Sequence, residues 1–459
     1  MKRADNKKIT RREFVSSALA ATALTGAAAK TSHAAPKQKP NVIFILADDL
    51  GFADLSCYGR PDYQTPNLDR LAAQGVRFTQ AYSASCVCTP SRCAFVTGRY
   101  PARTAVGLEE PLTWRRNLEQ QKRDVGLPPE HPTVASLLKA SGYTTALVGK
   151  WHLGYLPKYS PTKSGFDEFF GIMSGGADYF THKDALGDID LFEMETPVER
   201  AGYMTDMLTE RAVEIIKRKH ERPFYLSLHY TAPHWPWEGP RDEPLSRTLK
   251  TGNAGVTAGG SLKVYAEMMK SLDEGVGRVL KALDARGHAR DTLVIFTSDN
   301  GGERFSFNWP FTGAKFELFE GGIRVPAIMR WPGVVSAARV TEQVAVTMDW
   351  TATILAAAGA QVDSKYPLDG VDLLPVVRGA SAISERALFW RHGMQAAARV
   401  GNWKYLKVDD KTERLFDLST DERERADFRE ARPAEFERVR GEYLKWEAQM
   451  LKRSPRPSH

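Results

Sequence analysis

Five short apolar, β-rich runs, each closing on polar side chains, constrain this chain more than any other feature. They lie at 41–49, 144–151, 224–230, 292–300 and 325–331. Continuous apolar runs of this length read as strands buried on both faces. Helical patterns fill the intervals, at 65–75, 133–141, 204–219, 264–287 and 348–358. In the fourth, Met268, Leu272, Val276, Val279, Leu280 and Leu283 fall on one stripe at helical spacing, as a core-facing side requires. Strands alternating with helices imply parallel crossover units, so the predicted class is α/β: a large, mostly parallel sheet covered by helices on both faces. Ligands in such sheets collect at the carboxyl ends of the strands. The side chains there are Asp48 and Asp49, Lys150 with His152, His229 with His234, and Asp299 with Asn300.

At 459 residues the chain exceeds what one core usually holds, about 250–300 residues, so a second, smaller unit is expected. The texture changes near residue 380. Short runs at 387–390, 396–400 and 403–408 look like antiparallel strands, and a charged helix follows at 435–451 with Pro433 just ahead of it. The expected organisation is a leader over 1–35, a main domain over 36–378 and a small α+β subdomain over 379–459 with a frayed end.

The leader begins with Lys2, Arg3, Lys7 and Lys8. It continues through Thr10-Arg11-Arg12-Glu13-Phe14-Val15, which resembles a twin-arginine export signal. An Ala-rich stretch over 18–29 then runs to the small-x-small site Ser32-His33-Ala34. That stretch falls short of the ~20 apolar residues that a membrane span needs. The chain therefore reads as exported through the twin-arginine translocase to the periplasm or beyond the cell, and not as an integral membrane protein. The leader's seven Lys/Arg against Asp5 and Glu13 carry +5 of the formal +7 charge, leaving +2 on the mature chain. That removes the electrostatic case for a nucleic-acid partner.

Four cysteines, Cys57, Cys86, Cys88 and Cys93, offer no second spaced pair of the kind a zinc site uses. An oxidising destination permits disulfides, so Cys86 and Cys93 stay open between a bridge and buried thiols. Asp48, Asp49, Asp299 and Asn300 are hard oxygen donors, suited to calcium or magnesium and not to zinc. Either pair alone is as readily a turn or a helix cap; two pairs at two strand ends favour a metal. Arg92, Lys150, His152, His234 and Lys315 suit a tetrahedral anion, although no spacing rule selects them. No phosphate loop, dinucleotide fingerprint, His-Glu-x-x-His or serine nucleophile elbow occurs. The residues alone lead to an exported, metal-assisted α/β hydrolase with an anionic substrate.

The segment Cys88-Thr89-Pro90-Ser91-Arg92-Cys93-Ala94-Phe95-Val96-Thr97-Gly98-Arg99 closely resembles the signature of the formylglycine-dependent sulfatases, Cys-x-Pro-Ser-Arg followed by Leu-Thr-Gly-Arg. Blocks at 41–51, 149–154, 233–234, 298–301, 313–326 and 368–375 agree in order, so the resemblance runs from about residue 38 into the C-terminal subdomain. Val96 replaces the usual Leu and Cys93 follows Arg92 directly; neither change removes a catalytic group. The resemblance implies an alkaline phosphatase-like fold, a large mixed, mostly parallel sheet sandwiched by helices, and hydrolysis of a sulfate ester with release of inorganic sulfate. It implies that a formylglycine-generating maturase oxidises Cys88, and that one calcium ion is held by Asp48, Asp49, Asp299, Asn300 and the modified residue 88. By the same carry-over, Arg92 and Lys150 stabilise the formylglycine hydrate and the sulfate, and His152 lies beside one hydroxyl. His234 and Lys315 contact the sulfate and the leaving oxygen. One hydroxyl attacks sulfur while His234 or Lys315 assists the departing alcohol; the other, deprotonated by His152, expels sulfate.

The stretch Ser174-Gly175-Gly176-Ala177-Asp178-Tyr179-Phe180-Thr181-His182 is similar to a segment of sulfatases acting on amino-sugar and polysaccharide sulfates. It marks Asp178 and His182 as sugar contacts, against the alternative of a loop that only packs. Trp235 and Trp237 are placed to stack on a pyranose or to close the pocket. The expected substrate is a sulfated carbohydrate or an aryl sulfate. Two rivals remain: a phosphodiesterase or phosphonate monoester hydrolase using the same aldehyde, and an inactive glycan-binding protein in which Cys88 is never oxidised. Relative rates on sulfate and phosphate esters, and the mass of residue 88, separate them.

Overall fold

A computed structural model describes residues 39–248, 259–380 and 385–453, so the leader reading over 1–35 lies outside the described residues. Ten strands form one sheet in the order Arg339–Thr341, Val76–Phe78, Ala327–Arg330, Thr292–Ser298, Asn41–Ala47, Phe224–His229, Thr144–Gly149, Glu168–Ile172, Leu191–Glu193, Thr196–Pro197. The five strands from Thr292–Ser298 to Glu168–Ile172 run parallel. All seven residues of Asn41–Ala47 are buried, which is why this strand reads as an unbroken apolar run. Val42, Phe44 and Leu46 face one side, under the helices Cys88–Thr97, Val134–Ala140 and Thr347–Ala358. Ile43 and Ile45 face the other, under Pro66–Ala73, Met204–Lys217 and Leu262–Ala285. Each fully buried Leu, Ile or Phe on these faces contributes about 1.5–3 kcal/mol.

The strand Ala327–Arg330 supplies part of the mixed character of the sheet: unlike the crossover units that strand–helix alternation implies, it runs antiparallel to both its neighbours. From Ser298 the chain has no crossover helix. It loops across the carboxyl end of the sheet, with a single helical turn at Glu320–Ile323, and returns directly beside the strand it left. That loop brings Lys315 to the site. The sheet is thus mixed but mostly parallel.

A separate four-stranded antiparallel sheet, Ala387–His392, Gln395–Val400, Trp403–Lys407 and Glu413–Asp417, lies under the helix Pro433–Glu447. Its last strand escaped the sequence reading because only Leu415 and Phe416 of its five residues are buried. This sheet docks on the main domain through a core that mixes Leu388, Trp390, Leu406 and Phe416 with Tyr82, Val87, Leu318 and Ile323. Among the described residues no helix is long and apolar enough to cross a membrane.

Candidate active site

Cys88 opens the helix Cys88–Thr97, every residue of which is buried. Phe95 anchors that helix by stacking on Phe44 of the central strand, with ring centroids 3.7 Å apart. The helix N-terminus and its partial positive charge therefore point to the carboxyl end of the sheet. Cys88 Sγ lies 3.6 Å from Asp48 Oδ1 and 4.0 Å from Asp49 Oδ1, the two residues that follow the strand Asn41–Ala47. The adjacent strand Thr292–Ser298 delivers Asp299 and Asn300 to the same place: Asp49 N donates to Asp299 Oδ1 at 3.2 Å, and Asn300 Nδ2 to Asp49 Oδ1 at 2.7 Å.

Cations surround these carboxylates. Lys150, after the strand Thr144–Gly149, donates to Asp48 Oδ2 at 2.6 Å, and Lys315 donates to Asp49 Oδ2 at 2.6 Å. Arg92, one turn along the Cys88 helix, meets Asp299 Oδ2 through Nε at 3.0 Å and through its second terminal nitrogen at 2.8 Å. Its other terminal nitrogen donates to the Lys150 carbonyl at 3.1 Å, and His229 Nδ1 lies 3.0 Å from that same oxygen. His229 was legible only as a polar strand end. Its place is beside Arg92, where it holds the Lys150 carbonyl to which Arg92 also donates. Gly149 has φ +114, and a Cβ there would stand 1.7 Å from the His229 carbonyl, so only glycine lets Lys150 turn in above it.

The two candidate histidines are fixed as neutral tautomers. His234 Nδ1 donates to the Trp235 carbonyl at 2.7 Å, leaving Nε2 3.5 Å from Asp49 Oδ2. His152 Nε2 donates to the Leu112 carbonyl at 3.0 Å, and its Nδ1 is buried without a partner. Burial, then the neighbouring Lys150 for His152 and Lys315 for His234, holds both imidazoles well below their ordinary range. Burial raises the Asp49 carboxyl, but Lys315, His234 and Lys150 override it, so it stays ionised. The Cys88 thiol is pushed up by burial despite Lys150 and Lys315, so unmodified Cys88 is a poor thiolate nucleophile. Asp49 (φ +61), His152 (φ +55) and Phe316 (φ +73) are three of the eight non-glycine residues with positive φ among the described residues. Backbone strain thus concentrates at this site.

A divalent cation fits the donor set. Asp48, Asp49, Cys88 and His234 each offer a ligand atom within 4.8 Å of the others, and all are buried. Asn300 Oδ1 is buried with no hydrogen-bond partner. An amide oxygen left bare beside ionised carboxylates is a costly arrangement that a hard cation relieves.

The sulfatase family model matches residues 40–360. The chain belongs to the sulfatase family. It is 35% identical over 398 residues to an N-acetylgalactosamine-6-sulfatase of Canis lupus familiaris, covering 82% of this chain and 73% of that protein. It is 32% identical over 449 residues to a steryl-sulfatase of Mus musculus, covering 80% and 69%. The crystal structure of Ps i-CgsB in complex with k-i-k-neocarrahexaose superposes with a TM-score of 0.80 at 33% identity, covering 91% of this chain and 94% of that one. The chain is accordingly a sulfuric ester hydrolase with the alkaline phosphatase-like architecture.

All ten residues carried over for the metal and the chemistry converge in this sulfatase site. Asp178 and His182 do not reach it with free polar atoms. Asp178 accepts from the backbone of Phe180 and Thr181 at 2.9 and 2.6 Å and from Ser246 Oγ at 2.8 Å. His182 Nε2 donates to the Gly202 carbonyl at 3.1 Å. Both side chains are buried and spent on holding their loop. Trp237 is buried under Arg304, whereas Trp235 is half-buried with its ring 4.4 Å from that of His234. Cys86 and Cys93 are free thiols, Cys93 Sγ lying 3.0 Å from Thr104 Oγ1.

Two features escaped the sequence. Glu303 is a partly buried carboxyl that acts on Lys315 and is raised by burial and by Asp49; a single acid in a loop carries no sequence signal. Gly175 and Gly176 press on the histidines: added Cβ atoms would stand 2.7 Å from His152 Cε1 and 3.1 Å from His234 Cε1.

Proposed function

We propose that this sulfatase is exported and removes sulfate from a sulfated carbohydrate, using formylglycine at position 88 and one calcium ion. The observation that carries the reading is the bare, buried Asn300 Oδ1 in a ring of hard oxygen donors that closes on Cys88 at a helix N-terminus. Asp48, Asp49, Asp299 and Asn300, with residue 88, would hold the ion, which supplies Lewis-acid polarisation of a sulfate oxygen. Magnesium shares these ligand preferences, and calcium follows the family resemblance. The charge balance supports a divalent ion: three carboxylates offset Arg92, Lys150 and Lys315, and only an added cation leaves the site net positive for an anionic ester.

Around that centre the chain's own residues divide the work. Oxidation of Cys88 supplies an aldehyde whose hydrate is the nucleophile. Arg92 and Lys150, both fully buried, fix the geometry of residue 88 and the sulfate oxygens. His152 Nδ1, bare and neutral, is a base for a hydroxyl at residue 88. Lys315 stays protonated: burial opposes its charge, but Asp49 and its neighbours more than compensate. With His234 neutral, Lys315 carries the positive charge that meets the leaving oxygen. Carbohydrate as the alcohol is supported by the names of its relatives, an N-acetylgalactosamine-6-sulfatase and a structure holding a neocarrahexaose.

The burial of residue 88 supports an order of events on export. Residue 88 is deeply buried, so maturation precedes folding, and a twin-arginine leader would then pass the folded enzyme to the periplasm or beyond. Maturation found only on the secreted form would overturn that order. The test of the main proposal is the mass of the tryptic peptide containing residue 88, from protein co-expressed with a formylglycine-generating maturase. Conversion loses about 18 Da, CH2SH becoming CHO, and hydrolysis of sulfate esters in preference to phosphate esters should accompany it. An unmodified Cys88 in the presence of the maturase would overturn the mechanism and favour a glycan-binding protein.

A further inference from the structure

Phe316 is the residue next to Lys315, and it violates two rules of folding at once. Its φ of +73 is a conformation that a bulky L side chain adopts only under constraint. Its side chain is also 42% exposed, so burial offsets the strain only in part. Trp309 is the other exposed large aromatic hydrophobic among the described residues, and Arg423 lies 4.5 Å over its ring. Phe316 instead adjoins the reacting centre, its ring 5.4 Å from Lys315 Nζ.

The surrounding structure holds this conformation from two sides. Phe316 N donates to the Cys86 carbonyl at 3.0 Å, tying it to the segment that leads into Cys88. From the C-terminal sheet, Gln395 grips the loop with both ends of its amide, Nε2 donating to the Phe316 carbonyl at 2.8 Å and Oε1 accepting from Leu318 N at 2.9 Å. A strained backbone, pinned by two separate elements, holds an apolar ring 42% exposed beside Lys315, with the His392 ring 6.0 Å from it, and this partial packing offsets the strain incompletely. The remainder is recovered on binding.

We propose that Phe316 is a specificity-determining residue: a platform on which the apolar face of the pyranose ring bearing the sulfate stacks as Lys315 meets the leaving oxygen. Gln395 is its positioning residue, which gives the C-terminal sheet a part in choosing substrate. The inference rests on the carbohydrate reading above and on Lys315 facing the leaving alcohol. Inorganic sulfate, which lacks that ring, should not sense Phe316.

Binding to unmodified enzyme separates this inference from the mechanism. In a Cys88→Ala background with calcium present, Phe316→Ala should weaken calorimetric binding of a sulfated oligosaccharide about 10-fold, and Phe316→Trp should restore it. The affinity for inorganic sulfate should change less than twofold. Gln395→Ala should weaken sugar binding in the same direction, and Gln395→Glu, which keeps only the acceptor, should do so too. Phe316→Gly provides the second readout: it should raise the urea midpoint by releasing strain while weakening sugar binding. A lowered midpoint for Phe316→Gly, or sugar binding indifferent to Phe316→Ala, would overturn the platform alone. A Cys88→Ala parent that binds sulfate but no sulfated sugar would overturn the carbohydrate reading and the platform with it.

Discussion

Two buried charge clusters of similar size do opposite things in this molecule. One surrounds Cys88; the other joins the main domain to the C-terminal sheet. At the junction, Lys404 Nζ reaches Glu320 Oε1 at 2.9 Å and Glu424 Oε1 at 2.7 Å, and Tyr82 donates to Glu320 Oε2 at 2.6 Å. Arg399 closes the set, donating to Tyr82 Oη and Gln80 Oε1 at 2.5 Å each. Burial raises the Glu320 carboxyl, but Lys404 and Arg324 pull it below its ordinary value. Around Cys88 the pairing is as dense, yet Asn300 Oδ1 and His152 Nδ1 are left bare. Closed clusters repay desolvation by pairing and so hold parts together; an open one keeps polar atoms in reserve for a ligand.

The widest separation between the two should appear on removing one lysine from each. Lys404→Met leaves Glu320 and Glu424 facing each other without their shared cation, and should cost about 3–5 kcal/mol in urea unfolding. Lys315→Met, in calcium-loaded enzyme, should lower kcat about 10²- to 10³-fold and cost less stability than Lys404→Met, because a bound ion still partners Asp49. Equal losses of stability in the two variants would erase the distinction.

A finer contrast uses two glycines. Gly175 has no left-handed φ, so alanine is conformationally free there, but its Cβ would crowd His152 at 2.7 Å. Gly359 has φ +61 and open space around it. Gly175→Ala should therefore lower kcat about 10-fold through a displaced base, with nearly unchanged stability. Gly359→Ala should cost about 1 kcal/mol and leave kcat alone. Loss of stability without loss of rate in Gly175→Ala would mean that the Gly175 contact only packs.

How far the sequence carried this picture depends on the kind of contact. Strand ends are set by local apolar runs, so Asp48, Asp49, Lys150, Asp299 and Asn300 were legible as a group before any coordinates. The Cys88 signature was legible as a motif, but the helix it forms was not, because a segment buried all round has no amphipathic stripe. Asp178 and His182 read as sugar contacts because a segment resemblance says nothing about where a side chain's bonds go. Gln395 meets Phe316 and Leu318 across 79 and 77 residues of sequence, and Lys404 meets Glu320 across 84. Their roles arise only when the C-terminal sheet docks. The antiparallel return of Ala327–Arg330 was likewise hidden in a loop whose path no periodicity encodes.

Acid should reach the two clusters unequally, and this is the smallest effect of the series. His152, His229 and His234 lie on the Cys88 side, whereas at the junction burial raises the Glu424 carboxyl to about 7, so mild acid there neutralises a poorly solvated charge and does not lower stability. Burial, then Arg92, pushes His229 down to about 3, whereas an unfolded histidine titrates near 6.5. Between those values the unfolded chain binds a proton that the native state refuses. Stability is then fully present above about pH 6.5 and falls by about 1.4 kcal/mol per pH unit per histidine as pH drops toward 3. His229→Gln keeps a donor for the Lys150 carbonyl and removes one such proton. Urea unfolding at pH 7.5, 6.5 and 5.5 should show the variant less stable than wild type at pH 7.5, with a shallower decline by about one proton between pH 6.5 and 5.5. Parallel declines would mean that His229 titrates alike in both states. The imidazole would then be tolerating a charge that its burial and its position beside Arg92 argue against.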